Sequence, residues 1–302
     1  MRGLLFLSAL LVNACASAPP APPATSACTV PAGLAVMDGT WLETTRAMSA
    51  DAKAALVLSL PDCLESPDPA VRDGYAYETL SGLLRGEAVG PDTLRPLKAE
   101  LLSRLARADE DPGGFRGPFA ALALAEVART DRIAPWMDED ERSALIAAAH
   151  LYLASLTDYR GFSDTEGWRH GIAHTADLLM QLSLNPHLTK PQAEAILSAI
   201  AVKAGTPDHA YVFGENERLA APVMYLAQRD LFTAGEWESW FTGLWPAGDP
   251  LRESAYTSEA VLNRLHNLRA FAQSVYVSAV ASHETAYAAV GGAALTMLNQ
   301  LP

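Results

Sequence analysis

The sequence lacks the short motifs that mark several large enzyme classes. Among its 302 residues there are only 3 cysteines, and no two of them form a Cys-x-x-Cys pair. It has no Gly-x-Ser-x-Gly elbow, no glycine-rich loop ending in Lys-Ser/Thr and no dinucleotide-binding fingerprint. These absences argue against a serine hydrolase, a nucleotide-dependent enzyme or a redox protein. Metallohydrolases and binding scaffolds remain.

Basic residues are also few. The chain has 22 Lys and Arg against 35 Asp and Glu, a formal net charge of −13. Binding to nucleic acid depends on Lys and Arg that neutralise phosphates, so the charge argues against a nucleic-acid partner. It equally disfavours broad adhesion to anionic lipid. After the N-terminal apolar run, no hydrophobic stretch is long enough to cross a bilayer.

The N-terminus is typical of an export signal. A basic start and an apolar run from Leu4 to Val12 predict that residues 1–14 are a signal peptide. Val12-Asn-Ala-Cys15 resembles the lipobox of bacterial lipoproteins, which implies that Cys15 is acylated; an ordinary cleaved signal peptide is the alternative. We therefore expect a protein of the bacterial cell envelope, facing the periplasm and touching the membrane only through its lipid. The alanine after Cys15 favours the outer membrane.

An alanine- and proline-rich segment, residues 15–32, follows the signal. Such a composition cannot form a core and predicts an extended tether. Cys28 and Cys63 are an isolated pair, and an oxidising compartment would let them form a disulfide that pins the N-terminal arm to the first helices. Two independent buried thiols are the other interpretation.

The remaining residues, 33–302, predict a single all-helical domain with a substantial core. Start and stop signals predict helices of about 12–20 residues joined by short loops, which favours stacked antiparallel pairs. Ser66-Pro-Asp-Pro-Ala-Val-Arg-Asp73 resembles the start of the second helix of a HEAT repeat, although no clean repeat period is present. The predicted fold class is all-α, an irregular αα-solenoid of HEAT- or armadillo-like helix pairs. The expected helices span 69–85, 91–107, 119–129, 138–157, 164–183, 258–281 and 284–298, with capping boxes at Thr189-x-x-Gln192 and Thr233-x-x-Glu236 opening two more.

The segment from Asp158 to Asp177 is the strongest functional signal. A helix over 164–183 would carry a polar stripe on an otherwise apolar surface, and buried polar groups cost free energy unless they are paired. The stripe consists of Glu166, His170, His174, Asp177 and Gln181.

Two chemistries fit this stripe. Glu166 lies four residues before His170, and Asp177 three after His174, so each carboxylate could orient an imidazole for acid–base catalysis. This makes Glu166, His174 and Asp177 the catalytic candidates. His170 and His174 could instead share a divalent metal ion. Because His170 and Asp177 are about 10 Å apart along a helix axis, the third ligand would come from elsewhere, with Glu215 or Glu217 favoured over His150 and His209.

A structural explanation competes with both chemistries. The stripe could be a buried polar seam, with Ser163-x-x-Glu166 acting as a capping box and Arg160 bridging Asp158 or Asp177. Trp168 could be a packing anchor rather than a platform for a ligand. The candidate binding residues are Arg160, Trp168, Glu217 and Arg218.

The motif residues resemble a known family. Tyr159-Arg-Gly-Phe162, followed by Gly167-Trp-Arg-His-Gly-Ile-Ala-His174-Thr-Ala-Asp177, looks like the hallmark of the bacterial domain-of-unknown-function family 2785. Pro67-Asp-Pro-Ala-Val-Arg-Asp73, Glu215-Asn-Glu-Arg-Leu219 and Asn267-Leu-Arg-Ala-Phe271 fit it in order, so the resemblance would cover residues 56–279. It implies an all-helical fold and points to the same residues, but it implies no activity.

The function that follows from these patterns is a non-catalytic binding or scaffolding role at the cell envelope, through a concave polar face. The partner would be an envelope protein or a small-molecule ligand. The alternative is a zinc-type metal-dependent hydrolase with His170 and His174 as ligands, a carboxylate from Glu215 or Glu217, and a bound water as nucleophile.

Overall fold

The computed structural model of the chain describes residues 28–30, 40–252 and 254–302. Within these ranges nearly all regular structure is helical, and the one sheet is a hairpin of two-residue strands. The predicted all-α class is therefore confirmed. The predicted signal peptide, the lipidation site Cys15 and most of the tether lie outside the described residues.

The described α-helices are, in chain order, α1 (Thr40–Arg46), α2 (Ala50–Ser59), α3 (Glu78–Arg85), α4 (Pro91–Ala106), α5 (Arg116–Ile133), α6 (Glu139–Ser155), α7 (Gly171–Ser183), α8 (Lys190–Ala204), α9 (Glu215–Ala227), α10 (Ala234–Gly243), α11 (Glu259–Ser282) and α12 (Ala288–Gln300). The strands are β1 (Phe162–Ser163) and β2 (Gly167–Trp168). A π-helix at Ala70–Tyr77 leads into α3, and short 3₁₀ helices occupy Leu60–Glu65, Ala108–Glu110, Pro250–Arg252 and Thr285–Tyr287.

Local sequence signals explain where several helices begin. The side chain of Thr233 accepts the N–H of Glu236, whose carboxylate accepts the N–H of Thr233 in return, so α10 starts with a complete capping box. The predicted pair Thr189 and Gln192 opens α8, where Gln192 Oε1 accepts the backbone N–H of Thr189 at 3.0 Å. Pro91 occupies the first turn of α4, where its missing N–H costs nothing.

Successive helices alternate between two layers. In one layer α5 packs against α7, α7 against α9 and α9 against α11, while α4, α6 and α8 pack side by side in the other. The core lies between the layers and includes the fully buried Leu97, Leu124, Leu153 and Leu179. We call the outward side of α5, α7 and α9 the front face.

The predicted helix over residues 164–183 is wrong in its first part, residues 164–170. Residues 162–168 form the β1–β2 hairpin, and α7 begins only at Gly171. Ser163 Oγ accepts the N–H of Glu166 at 3.0 Å, so the Ser-x-x-Glu pattern closes the hairpin turn instead of capping a helix. Gly167 and His170 have positive φ angles, 71° and 57°, which no α-helix accommodates. Glu166 is therefore absent from the stripe, which retains His174, Asp177 and Gln181.

Distant contacts hold the hairpin in this shape. Arg72 is completely buried and donates to the carbonyl of Glu166 at 2.7 Å. Arg169 donates to the carbonyl of Gly113 at 2.7 Å. Both guanidiniums also lie 4.2 Å from the ring centre of Phe115, within the range of cation–π attraction. These contacts, which we call the arginine clamp, outweigh the local preference for helix.

The disulfide position fixes where the N-terminal arm meets the domain. Cys28 and Cys63 are bonded, with their Cα atoms 4.7 Å apart. Cys28 and Val30 pack against the core, so the arm joins the domain before the predicted tether end at residue 32. No helix in the described part of the chain is long and apolar enough to cross a membrane.

Candidate functional site

A cleft of about 530 Å³ opens where α7 and α9 begin. We call it the α7–α9 cleft. It brings together five residues that the sequence analysis singled out, together with two that it missed, Phe213 and Gly214. The lining residues are Trp168, His170, His174, Phe213, Gly214, Glu217 and Arg218.

At the cleft, each of the two helices is preceded by a residue whose backbone is in the left-handed conformation. His170 precedes α7 with φ 57°, and Gly214 precedes α9 with φ 84°. For histidine this conformation costs about 1 kcal/mol or more, and such strain concentrates at functional sites. The ring of His170 is held by stacking on Trp168, with centroids 4.7 Å apart. The backbone N–H of His170 donates to the carbonyl of Arg160 at 3.2 Å.

His170 faces Glu215, not Glu166 as predicted. Its Nε2 lies 3.6 Å from Glu215 Oε1, longer than a hydrogen bond, and has no hydrogen-bond partner among the described residues. Glu215 is almost completely buried, and its other oxygen accepts the N–H of Phe213 at 2.9 Å. Burial acts to raise the pKa of Glu215, but the nearby imidazole and the backbone N–H groups hold it below its ordinary value. The structure thus provides a carboxylate–imidazole pair, with the partner on α9.

His174 forms the inner wall of the cleft. Its ring meets Phe119 edge-on, and the carbonyl of Pro118 binds one ring nitrogen. Nδ1 is buried without a partner in the described structure. Burial, together with the nearby His170 and Arg218, lowers the pKa of His174 to about 3. The imidazole is therefore neutral at physiological pH, and Nδ1 is an unused hydrogen-bond acceptor.

Asp177 does not orient His174, contrary to the predicted pair. Its carboxylate binds the guanidinium of Arg218 on α9 instead. Burial raises the pKa of Asp177, although Arg218 opposes the rise. Arg218 is about half exposed, and the ion pair fixes it at the mouth of the cleft. The predicted His–carboxylate pairs do not form, because His170 faces Glu215 and Asp177 binds Arg218, and both of these partners lie on α9.

Glu166 and Arg160 do not line the cleft, and neither does Asp177. The carboxylate of Glu166 binds Arg169 at 3.0 Å, and Arg160 binds Asp158 at 2.6 Å. Glu166 and Arg160 line a larger adjoining groove of about 1150 Å³, which shares Phe213 with the cleft. Arg160 thus satisfies one of the two structural pairings expected of it, and Glu166 pairs with Arg169 and not with a histidine.

The described residues provide no third ligand for the metal ion that His170 and His174 were predicted to share. The rings of His170 and His174 meet edge to face with centroids 6.0 Å apart. Across the ranges that the structure describes, no three His, Cys, Asp or Glu side chains are grouped so that they could hold a metal ion. Glu215 is turned toward His170 and the backbone of Phe213, while Glu217 is exposed at the rim of the cleft.

The fold and the cleft together define an all-α protein of stacked helix pairs with a ligand-sized opening between two neighbouring helices. The chain belongs to the family described as "Protein of unknown function (DUF2785)", whose profile matches residues 101–277. The match confirms the resemblance and contains every residue of the cleft, whereas the Pro67–Asp73 segment lies outside it. No curated protein and no solved structure matches the chain.

Proposed function

We propose that this chain is a binding protein of the bacterial cell envelope that takes a small-molecule ligand in the α7–α9 cleft. The observation that carries the proposal is a pair of buried imidazole nitrogens that lack hydrogen-bond partners among the described residues: Nδ1 of His174 and, with Glu215 at 3.6 Å, Nε2 of His170. A buried polar atom without a hydrogen bond costs about 1–3 kcal/mol. A ligand that binds both nitrogens would recover that cost.

The size and lining of the cleft indicate the class of ligand. Its volume, about 530 Å³, falls within the roughly 300–1,000 Å³ of small-molecule sites. Trp168 and Phe213 are 39% and 38% exposed, so each offers an aromatic surface to a ring. Neutral His174 accepts from a hydroxyl or amide, and Arg218 adds donors at the mouth. These groups suit an uncharged ring that carries hydroxyl or amide groups, as sugars do.

The envelope location rests on the export signal and the lipobox at Cys15. The Cys28–Cys63 disulfide supports it, because disulfides persist in oxidising compartments. Lipidation can be tested by mass and by fractionation. Cys15→Ser should release the protein from the membrane fraction.

The cleft can be tested by ligand-observed NMR with a panel of neutral and N-acetylated monosaccharides. The wild-type protein should bind members of the panel, while His174→Leu and Trp168→Ala should lose that binding. His187→Ala is the matched control, because His187 is exposed and outside the cleft.

Two outcomes would overturn the proposal. One is binding that persists unchanged in both cleft variants. The other is stoichiometric zinc or manganese in the purified protein that disappears in His170→Ala and His174→Ala, which would favour the metal-dependent hydrolase.

A further inference from the structure

The front face carries a second polar cluster, at the opposite ends of the helices that form the cleft. Pro118 of α5 approaches His174, near the starts of α5 and α7, whereas Arg132 donates through Nε to Gln181 Oε1 at 3.2 Å, near their ends. Arg129 stands close to Arg132 on the same helix, and Tyr225 of α9 interacts electrostatically with Arg132. We call Arg129, Arg132, Gln181 and Tyr225 the arginine cluster.

The cluster contains no carboxylate. Neither Arg129 nor Arg132 forms an ion pair with any residue that the structure describes, and Arg129 makes no hydrogen bond there through its side chain. The hydrogen bond from Arg132 uses Nε, and both terminal nitrogens of its guanidinium have no hydrogen-bond partner within the described ranges. In a chain with 35 acidic and 22 basic residues, two adjacent arginines without a counter-charge are unexpected.

Other arginines of the chain show what a neutralised guanidinium looks like. Carboxylates raise the pKa of Arg85, Arg116 and Arg160 above the ordinary value. Burial, followed by repulsion from Arg129, lowers the pKa of Arg132. Burial also lowers the pKa of Arg229, but that side chain donates to backbone carbonyls after the end of α7. Among the described residues Arg132 has neither a carboxylate nor a backbone carbonyl as a partner, and its one acceptor is the side-chain amide oxygen of Gln181.

The helix terminus supplies only part of the missing negative charge. Arg132 lies in the last turn of α5, where the macrodipole is equivalent to about half an elementary negative charge. Two guanidiniums exceed that charge severalfold. The other two members add hydrogen-bond donors, the amide group of Gln181 and the hydroxyl of Tyr225.

We propose that the arginine cluster is a binding site for an oxyanion, a carboxylate or phosphate group carried by a ligand of this protein. Guanidiniums bind both groups through two parallel hydrogen bonds. Three neighbouring helices contribute donors, so the site exists only in the folded protein. The inference does not depend on the ligand of the α7–α9 cleft.

The experiment follows the thermal unfolding of the purified protein and the NMR resonance of the Arg132 Nε–H group. Inorganic phosphate and succinate are titrated separately, with sodium chloride at matched ionic strength as the reference, because screening alone alters surface electrostatics. We expect phosphate, succinate or both to raise the unfolding midpoint beyond the effect of chloride and to shift the Arg132 resonance saturably. Comparing the two titrations identifies which oxyanion the site prefers.

Variants locate the site. Arg132→Gln and Arg129→Gln should each weaken the binding at least about tenfold, since each removes a charged donor. Arg107→Gln is the matched control, because Arg107 is exposed and its side chain binds only Ser103 among the described residues. The proposal is overturned if chloride acts as strongly as both oxyanions on the wild-type protein, or if both cluster variants respond like the control.

Discussion

The arginine clamp and the α7–α9 cleft lie on either side of the same hairpin, yet they treat their polar groups in opposite ways. In the clamp, Arg72 and Arg169 reach carbonyls and carboxylates and stack against Phe115. In the cleft, His170 and His174 each keep a buried nitrogen without a partner. Satisfied polar groups stabilise the fold, whereas unsatisfied ones lower its stability until something binds. The clamp therefore maintains the hairpin shape that presents His170 to the cleft.

The largest effect should come from breaking the clamp. Arg72→Ala removes a buried cation and leaves the Glu166 carbonyl and the Asp73 carboxylate without their donor. We expect a loss of about 3–5 kcal/mol in the free energy of unfolding, measured by urea denaturation. Arg160→Gln, which breaks an exposed ion pair of the same region, should cost less than about 1 kcal/mol. Equal losses in the two variants would contradict the assignment.

The decrease in folding stability at acid pH should depend on His174 in the cleft. In the unfolded chain His174 takes up a proton as the pH falls through 6.5, but in the folded protein it stays neutral down to about 3. The unfolded state gains the proton first, so folding stability should fall across this window, by on the order of 4 kcal/mol. His174→Leu should lose this contribution while unfolding normally at pH 7. Chemical denaturation from pH 7 to 3 measures the difference, and parallel curves for the two proteins would refute it.

A smaller loss of stability should distinguish the buried carboxylate of Glu215 from the exposed carboxylate of Glu217. Glu215→Gln weakens the contact with His170, and we expect a loss of about 1–3 kcal/mol at pH 7. Because the pKa of Glu215 is held below its ordinary value, this difference should be complete above pH 4.5 and should fade as the pH drops further. Glu217→Gln, two residues away and exposed, should change nothing measurable. A pH-independent deficit in Glu215→Gln would rule out the ionic explanation.

The smallest loss of stability should come from Trp168, at the boundary between the two regions. Trp168→Ala removes the stacking on His170 and the partial burial of a ring that is 39% exposed, so a loss of about 1–2 kcal/mol in the free energy of unfolding is expected. Its effect on ligand binding should be far larger than this cost. Thermal unfolding and the saccharide panel measure the two quantities. A loss comparable to that of Arg72→Ala would show that Trp168 belongs to the clamp.

The same contrast separates what the sequence could predict from what it could not. The boxes at Thr189 and Thr233 were predictable because both partners lie within one helical turn. The hairpin was not, since Arg72 reaches the carbonyl of Glu166 across 94 residues. His174 and Asp177 were placed correctly on one helix by periodicity.

The partners of the site residues were the least predictable part. Glu215 and Arg218 come from α9. The sequence indicated both as site candidates, but no spacing rule within α7 could pair Glu215 with His170 or Arg218 with Asp177. Two features of the sequence pointed to Gly214 and Phe213. A glycine readily takes the left-handed conformation found before α9, and an aromatic side chain stands next to it. The arginine cluster could not be predicted from sequence spacing, because its members come from three helices.

The Cys28–Cys63 bond also limits the length of chain between residue 15 and the folded domain. If Cys15 carries the lipid, about 13 residues separate the anchor from the attachment point, so the domain can rise at most about 45 Å above the bilayer surface. Reduction of the bond would remove this covalent limit and leave only the packing of Cys28 and Val30 to hold the arm against the domain. In a lipid-anchored protein, the redox state of one bond would then determine whether the distance between the domain and the membrane is covalently limited.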